Sequence, residues 1–579
     1  MKKLILPILL FFMASVLWAM PPMPGSGLTH DGSLRWEPAA SDSDGSLPLR
    51  APSAERASKS SSVSTTGAKN ILVILAQFPE KTRTVIIDGV PQVITYKKLF
   101  FKDSHNVAYY ENLLGDYTQT PANLTMAEYY KKMSRGKLGL QFQVLGPYTA
   151  NYDYAFYGVN DFAGNDTYPF ILVYEMLEKA RKSGEVAGNI DNCTVIVVHA
   201  GPGEENGGVT TDYIWSHSDT LSKHDKYVDT VTINGKVFDR YTLEPEYVIS
   251  GNRTEASIGV FCHEFGHALG LPDAYDTSPA ASTAGVGQWS LMAGGSWGSK
   301  GDNSAGAMAG ADPSPLMAWE LVKLGWMEEE NITPAPGKSA NYTFDNINNA
   351  SKIYRINLNE DQYLTLEGKK EDSTGTDMYV METGLLITQL HQTVLDKYGG
   401  STNAINYGSY RVHGAMVVEA VASNYKYNGL GDLWRGSGDA YRITTQALFR
   451  RDTLTSVGPS GETDTASLPF LPLFFSTIIG SGVAITILLV WYYGRKKLCI
   501  AIACAACAAC ISMSCVIESS GSGGGGTYDT GPNTNYYLYI NNVHSKTGNS
   551  GITIYNIKCN SDGSGSFSVK RSSNGFSTE

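Results

Sequence analysis

The chain has 579 residues, a formal net charge of −11 and 42% hydrophobic residues. This length allows two or three domains with a sizeable apolar core, and the negative charge argues against a nucleic-acid partner. Of the eight cysteines, only Cys193 and Cys262 fall in the region that we assign below to an enzyme, so the fold does not depend on a disulfide framework.

The N-terminal segment has the features of an export signal. Lys2 and Lys3 precede an apolar run that ends near the small residue Ala19, so we predict a signal peptide over residues 1–19. Residues 20–68 are rich in Ser, Pro, Ala and Gly and cannot bury a core. We interpret this second stretch as a propeptide or linker, and we expect the protein to be exported.

Residues 69–330 alternate between strand and helix patterns. Helices are predicted over 126–137 and 168–182, and strands over 138–145 and 193–199. The alternation predicts an α/β upper subdomain with a further helix beneath it. A cleft between these two parts would hold an extended peptide.

The further helix contains the most informative motif in the chain, which reads HExxHxxGxxD from His263 to Asp273. His263 and His267 are one helical turn apart, so their imidazoles can bind one face of a zinc ion. Glu264 lies beside them, placed to take a proton from a metal-bound water. Gly270 can end the helix, and Asp273 can then return as a third ligand. A fourth position stays open for water, which is typical of a catalytic zinc site.

Two details of this motif remain open. Asp276 lies in the same turn as Asp273 and is the alternative third ligand. Either Thr254 or Ser257 could cap the start of the helix. Downstream, Trp289–Trp297 forms a Gly-rich turn around Met292, which is either the methionine turn of a zinc site or an ordinary core methionine.

The chain resembles the secreted bacterial metallopeptidases typified by immune inhibitor A, a metzincin-like family. The resemblance runs from about residue 70 to about residue 435, and it rests on the motifs at 70–78, 195–203, 214–217, 259–262, 271–276 and 318–326. It implies a zinc endopeptidase with protein or peptide substrates and one catalytic Zn²⁺. The resemblance also implies a role for each residue of the motif. The zinc ligands are His263, His267 and Asp273, the general base and acid is Glu264, and Met292 lies in the methionine turn. Calcium is left open, with no residues assigned.

Many metzincins carry a tyrosine shortly after the methionine turn, but this chain has none there. Tyr275 and His199 are the alternatives for stabilising a transition state. The competing interpretation of Tyr275 is an ordinary packed tyrosine, and that of His199 is a histidine at the end of a strand.

Residues 331–450 change to short alternating segments, which predict a β-rich domain with strands at 354–358, 363–367 and 385–388. Family members carry a β-rich region here. His391 and His413 stand alone and are expected to be structural. A linker over residues 451–467 follows.

The C-terminal part contains two apolar runs. Residues 468–493 are long enough to span a bilayer and are followed by the basic residues 495–497, which predicts a transmembrane helix with the catalytic domain outside. A second apolar segment covers 498–517, and a Gly-rich linker with a small β-like tail covers 518–579. The second run is either the returning half of a membrane hairpin or the leader of a lipoprotein-like unit fused to the first.

The sequence therefore predicts an exported zinc-dependent endopeptidase that hydrolyses extracytoplasmic proteins, either secreted or anchored at the cell surface by its C-terminal segment. The alternative is a membrane-anchored binding or adhesion protein built on a metallopeptidase fold. The intact base Glu264 argues against that alternative, because binding alone does not need it.

Overall fold

The computed structural model describes residues 18–19, 62–87, 90–115, 124–161, 164–206, 209, 211–250, 253–277, 285–299, 308–371, 380, 383–400, 403–406, 413–418, 533–540, 543–573 and 577–578. The chain divides into two compact units, one formed by Met1–Leu448 with Thr530–Glu579 and the other by Phe449–Asp529. All the described residues belong to the first unit.

The N-terminal half of the first unit is a mixed α/β structure. Its strands are β1 (Trp18–Ala19), β2 (Gly67–Gln77), β3 (Lys81–Ile87), β4 (Val90–Tyr96), β5 (Leu138–Thr149), β6 (Val195–Pro202), β7 (His217–Thr220), β8 (Val231–Ile233), β9 (Lys236–Phe238), β10 (Arg240–Ser250) and β11 (Arg253–Glu255). Its helices are α1 (Val107–Leu114), α2 (Met126–Met133), α3 (Tyr154–Gly158), α4 (Pro169–Ser183), α5 (Ile258–Ala268) and α6 (Ala318–Lys323).

The main sheet runs in the order β1-β7-β10-β6-β2-β5, with β11 paired to β10. Strands β10, β6, β2 and β5 are parallel, and β7 and β1 are antiparallel to their neighbours. Alternate residues of β2 point to opposite sides of this sheet. Ile71 and Val73 pack with α2 and α5, whereas Leu72 and Ile74 pack with α4. These two cores confirm the predicted α/β fold with a helix beneath the sheet.

The predicted helices and strands of this half are confirmed with shifted ends. Helix α2 ends at Met133 rather than at 137, because Arg135 and Gly136 adopt left-handed conformations with φ of 58° and 77°. A capping box between Thr125 and Glu128 fixes its start. Strand β5 continues to Thr149, beyond the predicted end at 145.

The chain joins this core before residue 69, where the sequence placed the end of the linker. Val63 is 3% exposed, and its N–H donates to the carbonyl of Ala268 at 2.8 Å. The Trp326 indole N–H donates to the carbonyl of Thr65 at 2.7 Å. Residues from about 62 onward therefore pack with the catalytic fold, and the rest of the predicted propeptide or linker lies outside the described residues.

The second half of the unit contains two packed sheets. Its elements are β12 (Glu328–Asn331), β13 (Ser339–Phe344), β14 (Lys352–Asn357), β15 (Gln362–Lys369), β16 (Gly384–His391), α7 (Gln392–Tyr398), β17 (Ala415–Val417), β18 (Asn533–Ile540), β19 (Val543–Cys559), β20 (Gly565–Arg571) and β21 (Ser577–Thr578). One sheet has the order β12-β14-β15-β16-β17, and the other has the order β13-β20-β19-β18 with β21 on β19.

This second sheet joins distant parts of the sequence. β13 pairs with β20 antiparallel from Ser339↔Lys570 to Phe344↔Gly565. Ile554, Phe567 and Val569 share one apolar core with Leu364 and other residues of the first sheet. The β-like tail is thus an integral layer of the β-rich part, a role that its position after a Gly-rich linker did not predict.

Among the described residues, no helix combines the length and the hydropathy needed to span a membrane. The predicted transmembrane helix at 468–493 and the second apolar segment at 498–517 lie outside the described residues.

Candidate metal centre

Helix α5 carries the HExxH motif in the centre of the lower core. All its residues from Ile258 to Ala268 are buried. The N–H of Gly259 donates to the carbonyl of Gly310 at 2.8 Å, which satisfies one of the free N–H groups of the first turn. Ser257 occupies the N-cap position but makes no side-chain cap bond, so the predicted hydroxyl cap is not formed. Beyond the helix, Gly270 has φ of 100°, a conformation that glycine adopts without strain.

The turn after Gly270 brings Asp273 back to both histidines. Its Oδ1 lies 3.1 Å from His263 Nε2 and 3.2 Å from His267 Nε2, and the two Nε2 atoms are 3.1 Å apart. Within the described residues, these three side chains form the one group of acidic, histidine or cysteine ligands close enough to hold a metal. Asp276 is buried but lies outside this group.

The spacing of these three atoms fits zinc. Ligand atoms at about 2.0–2.1 Å from a tetrahedral zinc ion lie about 3.3 Å from one another, which is close to the observed separations. Two imidazole nitrogens and a carboxylate oxygen are a donor set that zinc accepts in catalytic sites. Among the described residues, no fourth His, Cys, Asp or Glu joins this group, so a tetrahedral ion held by it would have one position free of these side chains.

Backbone carbonyls fix the orientation of both imidazoles. His263 Nδ1 donates to the carbonyl of Leu291 at 2.8 Å, and His267 Nδ1 donates to the carbonyl of Leu271 at 2.9 Å. Each Nδ1 therefore carries the proton, and each Nε2 presents a lone pair towards Asp273. Burial lowers the pKa of His267 despite the nearby Asp273 carboxylate, which favours the neutral form that binds a metal.

Positive charge at this position keeps the Asp273 carboxyl ionised. Burial alone would raise its pKa, but positive charge and hydrogen bonds from the side of His267 and His263 lower the pKa to about 2. When both imidazoles are neutral, a bound metal ion would supply that positive charge. An ionised carboxylate is the form that a metal needs.

Glu264 and Tyr275 are the other polar side chains of this centre. Glu264 is fully buried on the same helix as the histidines. The Tyr275 ring centroid lies 6.5 Å from that of His263. Burial raises the pKa of Tyr275 well above its usual range, and the charges of Asp273 and Glu264 add to this rise. Tyr275 therefore stays a hydroxyl, and a hydrogen bond to Asp273 contributes to the rise in its pKa.

The structure does not bring His199 to this centre. The His199 ring packs against Phe78 on the face of the sheet that carries α4, opposite to α5, with ring centroids 6.2 Å apart. Its Nδ1 bonds the carbonyl of Ala200 at 3.1 Å, and burial lowers its pKa to about 4. The competing interpretation, a packed histidine at the end of a strand, agrees with these contacts.

Met292 lies directly beneath α5. A Cβ placed on Gly266 would be 2.5 Å from Met292 Sδ, so the thioether fills the space left by this glycine between the two histidines. Short 3₁₀ turns at Gly287–Trp289 and Gly294–Trp297 flank it. Cys262, also buried, keeps a neutral thiol because burial raises its pKa well above the usual range.

A buried hydrogen-bond chain that sequence reasoning missed holds this turn in place. Ser290 Oγ accepts from the N–H of Met292 at 2.9 Å and donates to the carboxylate of Glu320 at 2.7 Å. Glu320 also accepts from the N–H of Met317 at 2.7 Å. Met317 is not one of the residue types that mark a capping box in sequence, so Glu320 carried no sequence signal of this role.

Comparisons with known proteins find metallopeptidases that match the part of the chain carrying this centre. Residues 181–327 match the model of the immune inhibitor A peptidase M6 catalytic domain. Two Vibrio cholerae serotype O1 proteins named pre-pro-metalloprotease PrtV are 30% identical over 254 residues, which cover 38% of this chain and 26% of each relative. Immune inhibitor A of Bacillus thuringiensis subsp. alesti is 30% identical over 255 residues, which cover 37% of this chain and 34% of that protein. The chain thus spans about a third or less of the length of these relatives.

Proposed function

We propose that this chain, which is immune inhibitor A-like in its catalytic domain, is an exported zinc-dependent endopeptidase that hydrolyses extracytoplasmic proteins or peptides. The observation that carries the proposal is the buried triangle of His263, His267 and Asp273, with Glu264 on the same helix. The matched family and the relatives' names identify metallopeptidases, which supports the same conclusion.

The residues divide the chemistry among them. His263, His267 and Asp273 would hold the ion, which when bound supplies a Lewis acid that activates water and polarises a carbonyl. Glu264 takes the proton of the attacking water and returns it to the leaving amine. The Tyr275 hydroxyl is kept protonated by burial and is hydrogen-bonded to Asp273. It is the candidate donor of a hydrogen bond to the negative charge that develops on the substrate.

The edge strand β7 supplies a surface for an extended substrate. β7 packs beside α5, and its outer edge pairs antiparallel with Trp18 and Ala19 through Ser218 and His217. This pairing supports the idea that the edge accepts an extended backbone by strand addition, with side-chain pockets deciding preference. Once the signal-type segment 1–19 has been removed, a substrate would bind at the edge that Trp18 and Ala19 leave free.

Export is supported by the signal-type segment at 1–19, and by the name pre-pro-metalloprotease that two relatives carry. Attachment to a membrane through 468–493 remains a prediction from the sequence alone.

A cleavage assay tests the function. Purified protein should cleave an unfolded protein such as casein, a chelator should abolish cleavage, and zinc should restore it. Glu264→Gln should keep zinc while the rate falls by about 10²–10⁴, because the carboxylate acts as a base and not as a ligand. Wild-type protein that binds zinc but cleaves neither proteins nor peptides would instead favour the binding or adhesion alternative.

A further inference from the structure

The third ligand of the proposed metal centre is held by a residue from the β-rich part of the chain. Asn403 follows α7 and is fully buried. Its Oδ1 accepts from the N–H of Asp273 at 2.6 Å, and its Nδ2 donates to Asp273 Oδ2. The Asn403 carbonyl accepts from Thr277 Oγ1 at 3.2 Å. One side chain thus contacts both the backbone and the carboxylate of Asp273.

These contacts give the two oxygens of Asp273 different partners. Oδ1 faces His263 Nε2 and His267 Nε2, and Oδ2 faces the Asn403 amide. A carboxylate held by one oxygen cannot turn freely, so the other oxygen stays directed at the metal position. A primary amide is well suited to this task because it offers a donor and an acceptor from one rigid group.

The segment that carries Asn403 is itself anchored to the β-rich part. Asn406 Nδ2 donates to the carbonyl of Ala274 at 2.7 Å, and Asn406 Oδ1 accepts from the N–H of Ala415 at the start of β17 at 3.1 Å. Ile405 is fully buried, and its carbonyl accepts from Gly414 N–H at 2.7 Å. The loop after the zinc helix is therefore braced against strand β17 by two asparagines.

The backbone of Asn403 also suits asparagine. Its φ is 41°, in the left-handed region that asparagine tolerates better than most residues with a side chain. Asn403 N–H donates to the carbonyl of Gly400 at 3.0 Å.

From these contacts we propose that Asn403 is a positioning residue for Asp273, so that the β-rich part of the chain completes the metal centre. The inference rests on the zinc site proposed above. Residues beyond the ligands that orient them typically contribute 10–100-fold to metal affinity. The β-rich part is then required for tight metal binding and is not a separate appendage.

Two substitutions test this role in the full-length protein. Asn403→Asp keeps the shape of the side chain but replaces the donor to Asp273 Oδ2 with a charged acceptor. Asn403→Gly keeps the left-handed backbone and removes both side-chain contacts to Asp273. Asn556→Asp is the matched control, because Asn556 is also left-handed, with φ of 52°, and lies in β19 of the β-rich part.

The readout is the zinc dissociation constant, measured by competition with a chromogenic chelator, together with the thermal midpoint of the metal-free protein. Both Asn403 variants should bind zinc about 10–100-fold more weakly, whereas Asn556→Asp should match the wild type. The thermal midpoint of the metal-free protein should change little while the zinc dissociation constant rises. This pattern separates positioning of the ligand from a general loss of fold.

Zinc affinity within twofold of wild type in both Asn403 variants would overturn the inference. His263→Ala checks the metal site itself in the same assay. If the wild type binds no zinc, or if His263→Ala binds it as tightly as the wild type, the proposed metal centre fails whatever the Asn403 variants do.

Discussion

Replacing Gly266 with alanine probes how tightly α5 lies on the turn that carries Met292. The new Cβ would lie 2.5 Å from Met292 Sδ and 3.3 Å from Met292 Cε. Ordinary contacts between such atoms are about 3.5–4.0 Å, so the side chain of Met292 has to move. Met292 is fully buried, and the adjacent Leu291 carbonyl holds His263, so the displacement reaches the metal centre.

Two opposing effects set the size of the change. In an open helix interior, Gly→Ala stabilises by about 0.8–1.0 kcal/mol, because alanine loses less backbone entropy on folding. Overpacking in a filled core costs about 1–3 kcal/mol. Since the atom that must move is in a flexible thioether side chain, we expect Gly266→Ala to lower the free energy of unfolding by about 0–2 kcal/mol.

A double-mutant cycle isolates the contact. Met292→Ala removes the obstructing sulfur, so Gly266→Ala made in that background should stabilise by about 0.5–1 kcal/mol. Urea unfolding of the four proteins, with m-values compared, gives the coupling energy, expected at about 1–3 kcal/mol. If Gly266→Ala stabilises equally in both backgrounds, Met292 does not pack against Gly266 and the described turn is wrong.

Three further predictions concern the ligand set, the acidic interior and the tail. Asp273→Ala should weaken zinc binding in the chelator assay while Asp276→Ala leaves it nearly unchanged, and the reverse order would make Asp276 the third ligand. Burial, with repulsion from Glu205 and Asp212, raises the pKa of Glu204 to about 8, although a hydrogen bond from Asn160 opposes the rise. Because the folded state then binds more protons than the unfolded state, Glu204 contributes its full stabilisation below about pH 4.5, and this contribution is lost as the pH rises through 8. Glu204→Gln should therefore stabilise the protein more at pH 8 than at pH 5, and equal effects in urea unfolding at both values would contradict the assignment. Since β13 pairs with β20, an epitope placed after Glu579 should lie on the same side of any membrane as the catalytic domain. Protease treatment of spheroplasts checks this, and an epitope that is protected while the catalytic domain is digested would contradict it.

The sequence determined the features that depend on local periodicity. Two histidines four residues apart on a helix must share a face, so the pairing of the first two proposed ligands follows from spacing alone. The helices α2 and α4 and the strands β5 and β6 likewise follow from runs of apolar residues between turn signals. The same local reasoning predicted that Gly270 ends the helix and that Asp273 returns to the histidines one turn later.

Tertiary structure decided the features that leave no local periodicity in the sequence. β6 is buried on both faces, so its sequence carries no alternation to tell which side His199 faces. Asn403 contacts Asp273 across 130 residues, and the tail strand β20 pairs with β13 across more than 200. Contacts between such distant residues depend on how separate elements pack, because an isolated polar residue or short strand has no local pattern that names its partner.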